Sequence, residues 1–399
     1  MANEANFPSG YPLASSSWDD SEIRALQRVI ESGIFTMGEE VAACERDFAA
    51  SVGSRFAVMV NSGSSANLLM MAAITLRKNG ESLASGDEVI VPSVSWSTTF
   101  YPVSQHQLKL VFVDIDRATL NLDLDLLESA MSERTKAVLA VNLLGNPVDL
   151  VRLKAFCDER GLILLEDNCE SLGATLDGKQ AGTFGEMGTF SSFFSHHIST
   201  MEGGFIVTDD EEIYHILLSI RSHGWTRHLP RENLVVGTKG DDPFEESFRF
   251  VLPGYNLRPL ELQGAVGREQ IRKIGDFVIA RRKNAKHFQG LFENNEVFAI
   301  QKETGESSWF GFALLIRPEA TGLNRAEVLS RLGAEDIEVR PIVSGNFAKN
   351  EVVGLLNHRI HGSLEVSEWL DRAGFFVGNH HFDIRDKIDQ LANVLSEFG

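Results

Sequence analysis

His196 and His197 stand in the run Ser191–Ser192–Phe193–Phe194–Ser195–His196–His197–Ile198–Ser199–Thr200–Met201–Glu202–Gly203–Gly204, and no lysine occurs between Lys179 and Lys239. An imidazole, with an ordinary pKa of ~6.5, keeps an unprotonated fraction near neutrality and can move protons. It cannot bond an aldehyde covalently as a lysine amine can. His196 is the candidate acid–base, and His197 is its adjacent rival. Asp167 follows the apolar run Leu162–Glu166 and could pair with a protonated ring nitrogen or simply open a helix. Trp96 follows the run Glu88–Val91 and could stack on a flat heterocycle or pack beneath a loop. Asn61–Ser62–Gly63–Ser64–Ser65–Ala66 joins a strand to a helix. There Gly63 permits a tight turn, Ser64 and Ser65 can cap the helix, and the free amides attract a phosphate. Ser191 could add a hydroxyl to the same phosphate.

The elements that must position these residues are legible as alternating patterns. Phe56–Val60, Glu88–Val91, Leu110–Val113, Ala137–Asn142 and Leu162–Glu166 are short β-branched runs bounded by turn residues, which predicts buried strands. Helical stretches lie between them, at Ser65–Arg77, Asp123–Met131 and Asp149–Arg160. Thr189–Phe193 and Gly204–Thr208 predict two more strands around the histidine run. The alternation predicts an α/β fold with a mainly parallel sheet and ligands at the carboxyl ends of its strands. Arg227 to Gly254 reads as a long loop, followed by a helix over Pro259–Ile274. Beyond it, strands at Trp309–Ile316 and Ile337–Arg340 and helices at Arg325–Leu332 and Ile384–Glu397 predict a smaller α+β domain.

Composition narrows the function classes. The chain has 399 residues, 43% of them hydrophobic, enough for two domains. With 37 basic and 56 acidic residues it carries a net charge of −19, which argues against nucleic-acid binding. The three cysteines, Cys44, Cys157 and Cys169, match no disulfide framework and no zinc spacing, so no metal is expected. No apolar stretch approaches a membrane span, and the first twenty residues lack the pattern of a signal peptide, so a cytoplasmic protein is expected.

The histidine run resembles the cofactor-lysine segment of the sugar aminotransferases of the DegT/DnrJ/EryC1/StrS family, which reads S-F-x-x-x-K, a spacer, then E-G-G. Counting from either flank, the family's lysine position falls on His196. Asn61–Ala66 is similar to the family's G-[ST]-x-A phosphate turn, and the family places an aromatic residue in the Trp96 slot over a pyridine ring. Glu166–Gly173 resembles E-D-x-A-x-x-x-G, whose aspartate, here Asp167, binds the pyridine nitrogen. Cys169 replaces the usual alanine, and Glu170 stands where glutamine or histidine is common, which suggests a group tuning the cofactor or His196. Arg221–Ser222–His223–Gly224 resembles the R-x-H-G segment near the ligand entrance. Tyr255–Asn256–Leu257–Arg258 resembles G-x-N-x-R, whose asparagine reaches the cofactor phosphate of the neighbouring subunit; an asparagine capping the helix near Pro259 is compatible with that role. Arg340–Pro341 and Gly378–Asn379–His380 match weaker segments around the sugar and nucleotide.

The resemblance implies an aspartate aminotransferase-like fold (fold type I). Residues 1–270 would form a large domain with a mixed, mainly parallel seven-stranded sheet, and 271–399 a small domain on which the N-terminal segment packs. It also implies a homodimer with shared active sites. The implied cofactor is pyridoxal 5′-phosphate, held non-covalently and cycling through pyridoxamine 5′-phosphate, with L-glutamate as cosubstrate. Histidine in place of lysine implies C3 dehydration of a nucleotide-linked 4-keto-6-deoxyhexose, GDP-linked in preference to CDP-linked, on the way to lipopolysaccharide O-antigen sugars. His196 would be catalytic. Ser64, Ser65, Trp96, Asp167, Glu170, Ser191 and Asn256 would hold the cofactor, and Arg221, His223 and Arg340 the substrate. Three scattered cysteines cannot hold a Cys₄ iron–sulfur cluster, so no iron–sulfur reductase is expected. The alternatives are a sugar aminotransferase with an unbound cofactor, a catalytically dead relative, and a cluster-free CDP-sugar dehydratase.

Overall fold

The computed structural model describes residues 10–399, so the first nine residues of the N-terminal expectation lie outside it. Twelve strands carry the architecture: β1 (Phe56–Val60), β2 (Glu88–Pro92), β3 (Lys109–Val113), β4 (Thr135–Val141), β5 (Ile163–Asp167), β6 (Met187–Ser191), β7 (Gly204–Thr208), β8 (Phe298–Ile300), β9 (Gly311–Ile316), β10 (Val339–Arg340), β11 (His358–Ile360) and β12 (Gly374–Gly378). The large sheet runs β1-β7-β6-β5-β4-β2-β3-β11. All its pairs are parallel except the two made by β7. The small sheet, β8-β9-β12-β10, is antiparallel throughout.

The inner strands of the large sheet are buried on both faces, which is why they read as continuous apolar runs. Val58, Leu69 and Phe112 belong to a core on one face, and Ile90, Val111 and Leu153 to a core on the other. A third core, with Phe288, Phe312 and Phe375, fills the small unit. Tyr11 joins that core and donates its hydroxyl to the Gly378 carbonyl at 2.7 Å. β11 is one strand more than the seven implied by resemblance. It comes from the C-terminal region and adds to the large sheet beside β3, where Arg359 donates to both oxygens of buried Glu88 at 2.9 and 2.6 Å.

Three expectations change in detail. Asp123–Met131 is not one helix but a 3₁₀ turn, Leu124–Leu126, running into the short helix Leu127–Ala130. The Arg227–Gly254 loop contains a small hairpin, Glu232–Asn233 with Gly237–Thr238, and a short helix, Pro243–Ser247. The Pro259–Ile274 helix is shorter, Glu261–Ile271, and the long helix Ile274–Phe292 follows almost at once. Among the described residues no helix is long and apolar enough to cross a membrane.

Sheet direction decides where chemistry can occur. β2, β4, β5 and β6 end at one edge, and β7 begins there, with Gly204 paired to Ser191. β1 also ends there, with Val60 opposite Gly204. The segments after β1, β2 and β5, and the β6–β7 connection carrying both histidines, therefore converge on that edge.

Candidate active site

A cavity of about 500 Å³ opens at this edge. Ser64, Trp96, Asp167, Glu170, Ser191, His196 and Arg340 all line it. Among the described residues lining it none is a lysine. No cluster of metal-ligating side chains occurs among the described residues. Cys44, Cys157 and Cys169 are all free thiols, and Cys169 lines the cavity.

One wall is the start of the helix Gly63–Leu76. The cap is Ser62, not Ser64 or Ser65: its hydroxyl oxygen accepts the Ser65 amide at 3.1 Å. Ser65 is thereby occupied and does not line the cavity, whereas Ser64, exposed, lines it and meets the Thr98 hydroxyl at 2.8 Å. A side chain on Gly63 would place its Cβ 2.8 Å from Ser191 Cβ, so only glycine lets the turn lie this close to the end of β6. The first amides of a helix lack intrahelical acceptors and favour an anion.

Asp167 ends β5, is 5% exposed, and is fixed from three sides. Its Oδ2 accepts from Asn67 Nδ2 at 2.8 Å and from the Thr99 hydroxyl at 2.7 Å, and its Oδ1 accepts the Cys169 amide at 3.2 Å. Asn67 in turn accepts from the Thr189 hydroxyl at 2.6 Å. Asn67 and Thr99 were not singled out from sequence. For Asn67 the signal was a polar residue directly before the apolar run Leu68–Leu69–Met70–Met71, since a buried amide needs a partner. Trp96 stands before the helix Ser97–Gln105 and is 57% exposed, an apolar face turned to the cavity rather than the core.

His196 and His197 separate cleanly. The His196 ring lies between Phe310, 5.1 Å away, and Phe193, 6.0 Å away, and its Nδ1 has no partner. Burial, then the Arg281 charge, pushes its pKa down to about 4, well below the ordinary imidazole value expected from sequence. The ring is thus neutral at pH 7. His197 is 2% exposed, off the cavity, and its Nε2 meets the Ser308 carbonyl at 3.1 Å. Glu170 accepts the Leu144 amide at 2.9 Å, and burial pushes its carboxyl up to about 7.

Three sequence candidates lie elsewhere. Arg221 is buried in an ion pair with Glu45 and also donates to the Met59 carbonyl at 2.6 Å; it ties helix Glu39–Val52 to β1 and does not reach the cavity. His223, with φ +64°, packs edge-on against Trp225 at 5.1 Å. Asn256 is exposed, caps no helix, and accepts from Arg258 Nε at 3.0 Å. Asn379 and His380 also sit off the cavity, Asn379 being bonded to Arg281 and Trp309 carbonyls and His380 to Ser15 and Pro12.

Comparison with known proteins gives the same picture across the chain. The model of the DegT/DnrJ/EryC1/StrS aminotransferase family matches residues 16–395. GDP-4-keto-6-deoxy-D-mannose 3-dehydratase of Yersinia pseudotuberculosis is 56% identical over 388 residues, 97% of this chain and 98% of that protein. The E. coli enzyme of that name, solved with bound hydrated PLP, is 55% identical with a TM-score of 0.95 and covers 98% of this chain and 100% of its own. A further structure of such a dehydratase, with a trapped PLP-glutamate geminal diamine, also shows 55% identity and a TM-score of 0.95, covering 96% of this chain and 100% of its own. The chain belongs to the DegT/DnrJ/EryC1/StrS aminotransferase family.

Proposed function

We propose that this chain is a pyridoxal-phosphate-dependent 3-dehydratase of GDP-4-keto-6-deoxy-D-mannose, supplied with nitrogen by L-glutamate. Its product is a 3,6-dideoxy-4-keto sugar, a precursor of colitose made in the cytoplasm. The observation that carries the proposal is an unpaired imidazole, His196, in a cavity whose lining includes a buried carboxylate but no lysine among the described residues. The Yersinia relative bears this activity, and two similar dehydratase structures hold PLP, one of them with glutamate.

The residues present fit that cofactor. Gly63 leaves no room for a Cβ beside Ser191, so backbone amides and two hydroxyls can close on a phosphate. Trp96 offers a half-exposed flat face, and Asp167 a fixed carboxylate for a ring nitrogen. When bound, the pyridoxamine form supplies an amine that condenses with the sugar C4 ketone and a ring that takes up an electron pair. Asp167 holds the proton on the ring nitrogen, which favours that uptake, and Asn67 and Thr99 keep the carboxylate aimed. His196 arrives neutral and removes a proton from the cofactor C4′ carbon. It then delivers that proton to the C3 oxygen, which departs as water. Phe193 and Phe310 flank the imidazole and limit exchange with bulk solvent. Hydrolysis then releases the nitrogen as ammonia.

Arg340, exposed at the cavity, suits the nucleotide phosphates. Asn256 faces outward, as a residue serving a second subunit's cofactor must in the proposed homodimer. On this proposal residues 1–270 form the cofactor domain and 271–399 the small domain, with Tyr11 and β11 each packing across the division. The test is incubation with PLP, glutamate and GDP-4-keto-6-deoxymannose. A product lacking one oxygen, with free ammonia, supports the proposal; a sugar retaining the amine nitrogen identifies an aminotransferase instead.

A further inference from the structure

Arg281, on the helix Ile274–Phe292, is 5% exposed, yet main-chain carbonyls rather than a carboxylate hold its guanidinium. Its Nη1 donates to three main-chain carbonyls, those of Asn379 at 2.8 Å, Phe310 at 3.1 Å and Trp309 at 3.3 Å, and its Nε has no partner. A buried unpaired cation is costly, so its place in the fold calls for a role beyond stability.

The corner it grips is unusual. Trp309 has φ +50°, and across from it Leu144 has φ +53°. The Phe310 amide donates to the Leu144 carbonyl at 2.9 Å and the Ser308 amide to the Gly145 carbonyl at 2.9 Å. A Cβ on Gly145 would stand 2.4 Å from the Trp309 nitrogen. Asn379 Nδ2 closes the knot by donating to the carbonyls of Trp309 at 2.9 Å and Arg281 at 3.1 Å. The outcome is that the Phe310 ring faces His196, with centroids 5.1 Å apart and planes at 54°. Strained residues held this firmly gather where a geometry must be kept.

We infer that Arg281 is a positioning residue, which fixes the Trp309–Phe310 corner so that Phe310 seats the His196 ring in the cavity. This rests on His196 being the proton carrier of the proposed reaction. After burial, Arg281 is also the charge that holds the His196 pKa down, and it acts in the same sense on His197, His380 and His381. The other charged groups lining the cavity with His196 are Asp167, Glu170, Glu202 and Arg340.

The test uses the full chain carrying ¹⁵N-labelled histidine, titrated by NMR before the cofactor is added, and steady-state kinetics after it is loaded. In Arg281→Met the His196 midpoint rises by about one pH unit toward the ordinary imidazole value, and Arg281→Lys, which keeps a cation on the same stem, restores part of the shift. In Phe310→Leu, kcat falls about 10- to 100-fold, with KM for the nucleotide sugar changed little, because the ring is no longer seated. Should Arg281→Met fail to fold, Arg281→Lys decides: losing the guanidinium grip on the corner lowers kcat about tenfold with the sugar KM little changed, and an unchanged kcat overturns the inference. A native His196 midpoint in folded Arg281→Met, or an unchanged kcat in Phe310→Leu, overturns the inference. Deoxygenation retained in His196→Asn would instead remove the proposed catalytic role, and the NMR midpoint distinguishes that failure because it is read without turnover.

Discussion

The His196 imidazole packs against the Phe310 ring at 5.1 Å, while its Nδ1 is left without any hydrogen-bond partner. One residue of the large-sheet edge thus completes its surroundings with an aromatic that directly precedes β9 of the small sheet. His197 next door also leaves its Nδ1 unpaired, but its Nε2 is tied to the Ser308 carbonyl at 3.1 Å. What singles out His196 is its place on the cavity wall, which His197 does not share.

Asp167→Asn should separate binding geometry from ring electronics. The asparagine oxygen can still accept from Asn67 and Thr99, so the melting temperature should change little. An amide cannot balance a protonated ring nitrogen, so kcat should fall on the order of 10²-fold or more. Retained kcat would show that the carboxylate is structural.

Gly63→Ala tests the tight approach of turn and strand. Its Cβ would meet Ser191 Cβ at 2.8 Å, Ser191 Oγ at 3.0 Å and Cys169 Sγ at 3.1 Å. Overpacking of this kind costs about 1–3 kcal/mol, and the displaced Ser191 should weaken cofactor affinity roughly tenfold or more. Equilibrium titration with PLP checks this, and native affinity would contradict the phosphate assignment.

Stability should fall as pH drops below about 6.5. His196, His228 and His380 are held down to about 4 and His381 to about 3, mainly by burial. Between those values and the unfolded ~6.5 the unfolded chain binds more protons, so the stability present above ~6.5 is lost toward pH 4. Glu170, pushed up to about 7, works the opposite way: its folded form keeps a proton, so stability falls as pH rises from ~4.5 to 7. Four histidines outweigh one carboxyl, and Glu88, held down to about 2 chiefly by Arg359, adds to the loss below ~4.5. Thermal melts from pH 4 to 8 should show this slope, and Glu170→Gln should steepen it between ~4.5 and 7. A melting temperature that rises on acidification would contradict the burial of these rings.

Mixing two inactive variants tests the shared site. In a homodimer where Asn256 serves the opposite subunit, His196→Asn and Asn256→Ala chains exchange to give mixed dimers with one intact site. About a quarter of wild-type sites should return at equal mixing, half the dimers being mixed and one site in two intact. No recovery after demonstrated subunit exchange would contradict sharing.

How far the sequence reached depended on the kind of interaction. Strands such as β1 and β7 were legible because burial on both faces forces a continuous apolar run. Ser64, Trp96, Asp167, Glu170, Ser191, His196 and Arg340 each sit in a local segment with its own pattern, and the sheet edge gathers those segments around one cavity. The rest depends on contacts remote in the chain. Phe310 and Arg281 reach His196 only through the fold, and nothing in their own neighbourhoods differs from ordinary core or helix. Arg221 shows the converse, since a segment read as a ligand contact holds a buried pairing with Glu45. β11 was missed because His358–Arg359–Ile360 is too short to show a period.

The most direct measurement is His196→Lys, with absorbance of the loaded protein and mass analysis of the sugar read on the same sample. A proton carrier that never bonds its cofactor predicts that the lysine captures PLP covalently, so that borohydride fixes it to residue 196, and that loss of the C3 oxygen stops. Undiminished C3 deoxygenation in that variant would contradict the account.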